Sequence, residues 1–306
     1  MAPRRTVDPL TALALAVAVV GVSLSAPVIA YAAAPALAIA LWRNALAVGV
    51  LAPVALARRP VELSGLLRGR EGLVSGLAGA ALAVHFGTWV PAVKLTTVAA
   101  ATALVATQPV WQGLIARAQG RRLPPLVWVG IATAVAGAIA ATGADLAISA
   151  EAVAGDLLAA LAGLAGAVYT AAGERVRASA STISYTTVCY GACTGLLLVT
   201  CLAGRVPLAG YEASAWLAIA VLTLGPQLLG HSMFSYALRR VSATAVSVFY
   251  LLEVPGASLI GLLWLGESPA PAAWPGLSLI VAGVAVVIIA GRGSAAAEPP
   301  APATVN

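Results

Sequence analysis

Glu253 sits near the middle of an apolar run of helical length, Ser242 to Glu267, and Pro255 follows it two residues later. A carboxylate inside a membrane span costs about 3 kcal/mol, so it faces a partner or a polar cavity rather than lipid. Pro255 lacks an N–H and crowds the preceding turn, which disturbs the helix beside the acid. Tyr250, one turn earlier, is placed to cap the carboxyl. Arg43 is the other charge buried in an apolar run. Either it pairs with Glu253 to hold two parts of the protein together, or it steers an anionic group and tunes the acid's proton affinity. His85 and His231 carry neighbours on their own helix faces, Trp89 one turn after the first and Gln227 one turn before the second. Gln108, Trp111 and Gln112 share a face at i, i+3, i+4 spacing. Together these groups offer hydrogen bonds, aromatic walls and one titratable acid, the furnishings of a small-molecule cavity.

Other chemistries find no support. The chain has no phosphate-cradling Gly-rich loop with its lysine, hence no ATP motor. Cys189, Cys193 and Cys201 fall in one apolar run without a histidine or acid nearby, so neither a metal site nor a disulfide framework is indicated. No enzyme active site, cofactor or nucleic-acid surface is expected, because the basic residues lie in short segments between apolar runs.

The elements that must position these groups are membrane helices. Of 306 residues 61% are hydrophobic and only 9% charged, with a mean hydropathy of +0.97. No soluble domain hides that much apolar surface. A span needs roughly 20 apolar residues, and ten such runs lie at 10–30, 35–57, 72–93, 97–117, 125–143, 155–174, 183–203, 213–236, 243–265 and 272–291. The first run follows Arg4 and Arg5 and ends near a small-residue stretch, so it also has the form of a signal peptide. A low-complexity, disordered tail is expected from about residue 292.

The halves echo one another. An offset of 146 relates His85 to His231, Pro109 to Pro255, Lys94 to Arg240, Gly120 to Gly266, Pro125 to Pro271, Trp128 to Trp274 and Gly137 to Gly283. Asp8-Pro-Leu matches Asp156-Leu-Leu at 148, which places the first run inside the repeat rather than in a leader. The chain reads as a tandem duplication, with repeats at 10–143 and 155–291 flanked by tails at 1–9 and 292–306. Thr107 is the counterpart of Glu253, so the symmetry fails where a substrate or proton would bind. With the N-terminus inside, 14 of the 17 basic residues fall in cytoplasmic segments and only Lys94 and Arg205 in outer ones. That bias orients the chain with both termini cytoplasmic, and puts Asp145, Glu151, Asp156, Glu212 and Glu267 outside. Five spans per repeat is odd, so the second repeat enters from the opposite side. Inverted repeats of this kind build secondary transporters with a site near the midplane.

Arg43 in the second span, Gly155-Asp156-Leu157 opening the sixth, and Glu253 through Gly266-Glu267 with Pro275-Gly276 carry a family likeness. The chain resembles the EamA-type transporters of the drug/metabolite transporter superfamily over roughly residues 8–291. The resemblance implies an all-α integral membrane protein of ten transmembrane helices in two inverted five-helix EamA repeats. It also implies a central cavity lined by the first four helices of each repeat, and export of amino acids, metabolites or toxic compounds. Two departures stand out. The first repeat has Gly120-Arg121 where the family has Gly-Glu, and the family's Glu-Pro appears as Glu253-Val254-Pro255.

The expected protein is an inner-membrane secondary transporter that exports a small metabolite by alternating access, with protons as the candidate coupling ion. Its expected partners are the lipid bilayer and a small-molecule substrate. The expected site comprises Glu253, Arg43, His85, His231, Gln108, Trp111, Gln227, Trp89 and Tyr250. The competing expectation is a non-transporting membrane partner with a vestigial cavity.

Overall fold

The long helices turn leucines and valines outward and polar groups inward. Leu10, Leu13 and Val20 on the first helix are more than 60% exposed, and Val199 and Leu202 on a later one equally so, while Arg43, Asn44, Gln112 and Gln227 are fully buried. A soluble protein distributes these side chains the other way. A bundle solvated by lipid has no reason to hide leucine and every reason to collect its polar groups inside.

A computed structural model describes residues 8–96, 98–142, 149–260, 262–263 and 271–295 of the chain. In chain order the helices are α1 (Pro9–Ser23), α2 (Ser25–Tyr31), α3 (Ala36–Arg58), α4 (Pro60–Arg68), α5 (Arg70–Leu95), α6 (Val98–Val105), α7 (Gln108–Ala118), α8 (Pro125–Thr142), α9 (Ala150–Arg177), α10 (Thr182–Ala203) and α11 (Ala213–Leu222). A π-helical segment, Thr223–His231, then leads into α12 (Ser232–Ala237), followed by α13 (Ala243–Tyr250), α14 (Glu253–Ile260) and α15 (Ala273–Ala295). Eight helices among the described residues are long and apolar enough to cross a membrane. The run expected at 97–117 is divided between α6 and α7, and that at 125–143 forms a shorter apolar helix, Pro125–Ala141. Helix α15 continues to Ala295, past the boundary expected at 291. Asp145, Gly266 and Glu267 lie outside the described residues, as do most of both expected tails.

Local chemistry sets the helix ends. Asp8 caps α1, its carboxylate accepting from the Thr11 backbone N–H at 3.1 Å and from the Thr11 hydroxyl at 2.7 Å. Ser149, Ser181 and Ser242 cap α9, α10 and α13 in the same way. The α6–α7 helix breaks after Val105 and the α13–α14 helix after Tyr250, each a few residues before its proline, Pro109 or Pro255.

Helices α8 and α15 pack through four glycines. A Cβ on Gly137 would stand 2.7 Å from the Gly276 carbonyl oxygen, and one on Gly130 would stand 2.9 Å from that of Gly283. Only glycine permits that approach, and the dispersion gained there replaces the hydrophobic driving force that lipid cannot supply. The two contacts exchange under the 146-residue offset, which carries Gly130 to Gly276 and Gly137 to Gly283.

Candidate functional site

The two helix breaks and the π segment converge on one cavity within the bundle. Its wall includes Val22 and Ser25 from α1 and α2, and His85, Phe86 and Trp89 from α5. Thr102, Val105 and Gln108 contribute from α6 and α7, with Gly166 and Tyr169 from α9. The π segment supplies His231, and α13 and α14 supply Ser247, Tyr250 and Glu253. Glu253 is the first residue of α14, so the break after Tyr250 delivers its carboxylate to the wall. Among the described residues no hydrogen bond or ion pair is made by that carboxylate.

The histidines that lie 146 residues apart in sequence meet directly. The rings of His85 and His231 stand edge to face with centroids 6.1 Å apart, and Phe86 lies 5.0 Å from the first and 5.1 Å from the second. The Ala162 carbonyl accepts from His85 Nδ1 at 2.8 Å, which leaves Nε2 as an acceptor. His231 Nδ1 and the Tyr250 hydroxyl share a hydrogen bond of 3.1 Å. Tyr250 therefore anchors His231 instead of capping Glu253 as the sequence led us to expect. Tyr169 stands 6.0 Å from His231, with its hydroxyl bonded to Ser235 Oγ at 3.1 Å. Gln108 Nε2 donates to Thr170 Oγ1 at 3.2 Å, which ties α7 to α9 at the cavity edge.

Arg43 lies behind this wall rather than in it. Its Nε donates to Gln227 Oε1 at 3.1 Å, Gln227 Nε2 donates to Asn44 Oδ1 at 3.1 Å, and Asn44 Nδ2 donates to the Ala40 carbonyl at 2.9 Å. Its guanidinium carbon stands 4.1 Å over the Phe86 ring, which is in T-shaped contact with both histidines, a cation–π arrangement. The other two guanidinium nitrogens are buried without a hydrogen-bond partner. No ion pair within 4.0 Å joins Arg43 to Glu253 among the described residues.

Of the residues singled out in the sequence, the cavity wall brings together Glu253, His85, His231, Gln108, Trp89 and Tyr250. Gln227 and Arg43 support it through Phe86 and the π segment. Trp111 stands away, its indole nitrogen buried without a partner. Sequence reasoning passed over Phe86, Asn44 and Ser247. An apolar ring and a small polar residue in an apolar helix carry no signal until their neighbours are known. The three cysteines are free and buried, and no group of metal-ligating side chains forms among the described residues.

Fold and site define a multi-pass helical membrane protein with a polar, aromatic-walled cavity in its core. A solved crystal structure shares the fold, with a TM-score of 0.74 over 92% of this chain and 98% of the other at 24% identity. Residues 153–289 match the EamA-like transporter family. Guanidinium exporters of Citrobacter freundii, Salmonella typhimurium and Klebsiella oxytoca are 36% identical over 66 residues. That stretch is 21% of this chain and 63% of theirs. Over part of its length the chain thus resembles the EamA-type transporters of the drug/metabolite transporter superfamily.

Proposed function

We propose that the chain exports a small planar cation of the guanidinium type across the cytoplasmic membrane, in exchange for protons carried by Glu253. The observation that carries this reading is the Glu253 carboxylate, free of hydrogen bonds among the described residues, in a wall otherwise built of neutral and aromatic groups. A bare carboxylate in such surroundings is unfavourable. A proton or a cation neutralises it, and exchange of one for the other couples the two fluxes. Aromatic faces attract cations, and a carboxylate receives a guanidinium through paired charge-assisted hydrogen bonds. The protein's own core holds a guanidinium in this fashion, that of Arg43 over Phe86. The exporter names of the relatives point the same way.

Alternating access of two inverted five-helix repeats, 10–143 and 155–291, is the motion we assign to this exchange. It is supported by the histidine pair at the 146-residue offset, the reciprocal glycine contacts and the matching helix breaks. The excess of basic residues in one set of segments supports a cytoplasmic position for those segments and for both termini. The substrate cavity then consists of His85, Trp89, Gln108, His231, Tyr250 and Glu253, with Arg43 and Gln227 as support.

Equilibrium binding of labelled guanidinium to purified protein tests the assignment. Saturable binding that Glu253→Gln weakens at least about tenfold, the scale of a lost charge-assisted contact, is the expected result. Binding unchanged in Glu253→Gln would overturn it.

A further inference from the structure

Three helices carry both the floor of the cavity and the contacts that close the basic face. On α7, Gln108 lines the cavity, and just beyond the helix end at Ala118 the chain turns at Gly120, whose φ is +80°. The Gly120 N–H donates to the Arg117 carbonyl and the Arg121 N–H to that of Ala116, a glycine cap that fixes where Arg121 leaves the helix. Arg121 then forks onto Glu174 of α9, at 3.0 and 2.9 Å. The same carboxylate accepts from the Ala243 backbone N–H, the first of α13, at 3.1 Å. One clamp thus gathers α7, α9 and α13 at the basic end, while deeper in the bundle, roughly one turn on for α9 and α13 and between three and four for α7, the same helices present Tyr169, Ser247 and Gln108 to the cavity.

Gln112 lies between clamp and cavity. It is one turn from Gln108 on the same side of α7 and fully buried, and among the described residues neither its Oε1 nor its Nε2 has a hydrogen-bond partner. A closed bundle gains nothing by burying an amide this way, because both groups lose water without replacement. An arrangement in which the basic-face half opens returns partners to the amide.

Resting on the export reading, we infer that the route from the basic face runs between α7, α9 and α13, that Gln112 is a second substrate contact along it, and that the Arg121–Glu174–Ala243 clamp closes it. In the open state the Gln112 carbonyl accepts from the cation's N–H groups before it reaches Glu253. In the arrangement seen here the clamp is shut and Gln112 is sealed off.

Thiol labelling from the basic face of oriented vesicles, with full-length protein and the unsubstituted chain as baseline, tests the route. Gln112→Cys alone should react slowly with a charged reagent. Adding Arg121→Gln should speed labelling about tenfold, as loss of a bidentate charged link shifts the closed–open balance, and saturating guanidinium should slow it again. If that double variant does not fold, Glu174→Gln breaks the same link. In flux assays Gln112→Leu should raise the guanidinium concentration needed on the basic side several-fold. Labelling indifferent to the clamp, or Gln112→Leu flux equal to the parent, overturns the inference. Glu253→Gln, run in parallel, separates the two failures. If it is inactive while Gln112 variants behave as the parent, only the inference fails; if it transports as the parent, the export reading fails.

Discussion

Glu253 and Arg43 share one core without touching. Arg43 is held by Gln227 and Phe86, so its removal leaves a buried amide short of a partner and an aromatic face uncovered. Loss of a charged hydrogen bond of this kind costs about 1.5–3 kcal/mol. Arg43→Gln should therefore lower the melting temperature, and if the two charges compensate one another across the wall, Glu253→Gln in the same chain should restore part of it. A direct structural pair would instead make each single variant cost about 3–5 kcal/mol and the double variant much less. Thermal melts of the two single variants and the double variant distinguish these outcomes. Glu253, Arg43 and the two histidines were legible in the sequence because a polar group in an apolar run is conspicuous. Their partners were not. Gln227 meets Arg43 across 184 residues of chain, and Tyr250 turns to His231 only because the helix breaks immediately after it.

At the scale of elements, Pro255 announced the break at 251–252 and the alternation of apolar runs announced most of the long helices, whereas the break at 106–107, just before Pro109, fell inside a run expected to be continuous. The π segment was hidden. Pro226 hints at a disturbance, but a wide turn of this kind depends on how the backbone carbonyls are taken up, as when the Ser232 hydroxyl bonds the Gln227 carbonyl. Glycine content was visible, yet which glycines touch was not. Overpacking at so close an approach costs about 1–3 kcal/mol or more. Gly276→Leu should therefore separate α8 from α15 and destabilise the protein, measured by thermal melting in detergent, while Gly49→Leu, with open space around it, should not. The basic-face contacts also bear on pH. The Thr11 hydroxyl bonded to Asp8, with Arg240 beside it, holds this carboxylate below its ordinary range. A depressed acid contributes its stability above the unfolded pKa and loses it as pH falls through the folded one. Asp8 therefore stays ionised near neutrality, and Asp8→Asn should leave any pH dependence of flux near pH 7 unchanged.

For the whole molecule, the 146-residue echo and the charge bias are read from the sequence itself, because both are statistical properties of the entire chain. The clamp of Arg121 on Glu174 was not, since it joins two loop-proximal charges that the bias alone treats as independent. Topology is open to direct test. A cysteine placed between the spans expected at 125–143 and 155–174 should react with an impermeant reagent from outside intact cells, and one beside Arg68 should not; the reverse pattern would invert the orientation proposed here. The exchange of a cation for protons at Glu253 is tested most directly by guanidinium flux in proteoliposomes under an imposed pH gradient. Wild-type protein should accumulate guanidinium on the acidic side and release protons from it, with the effect lost in Glu253→Gln. Guanidinium movement that ignores the gradient, or that persists against it in Glu253→Gln, would contradict the account.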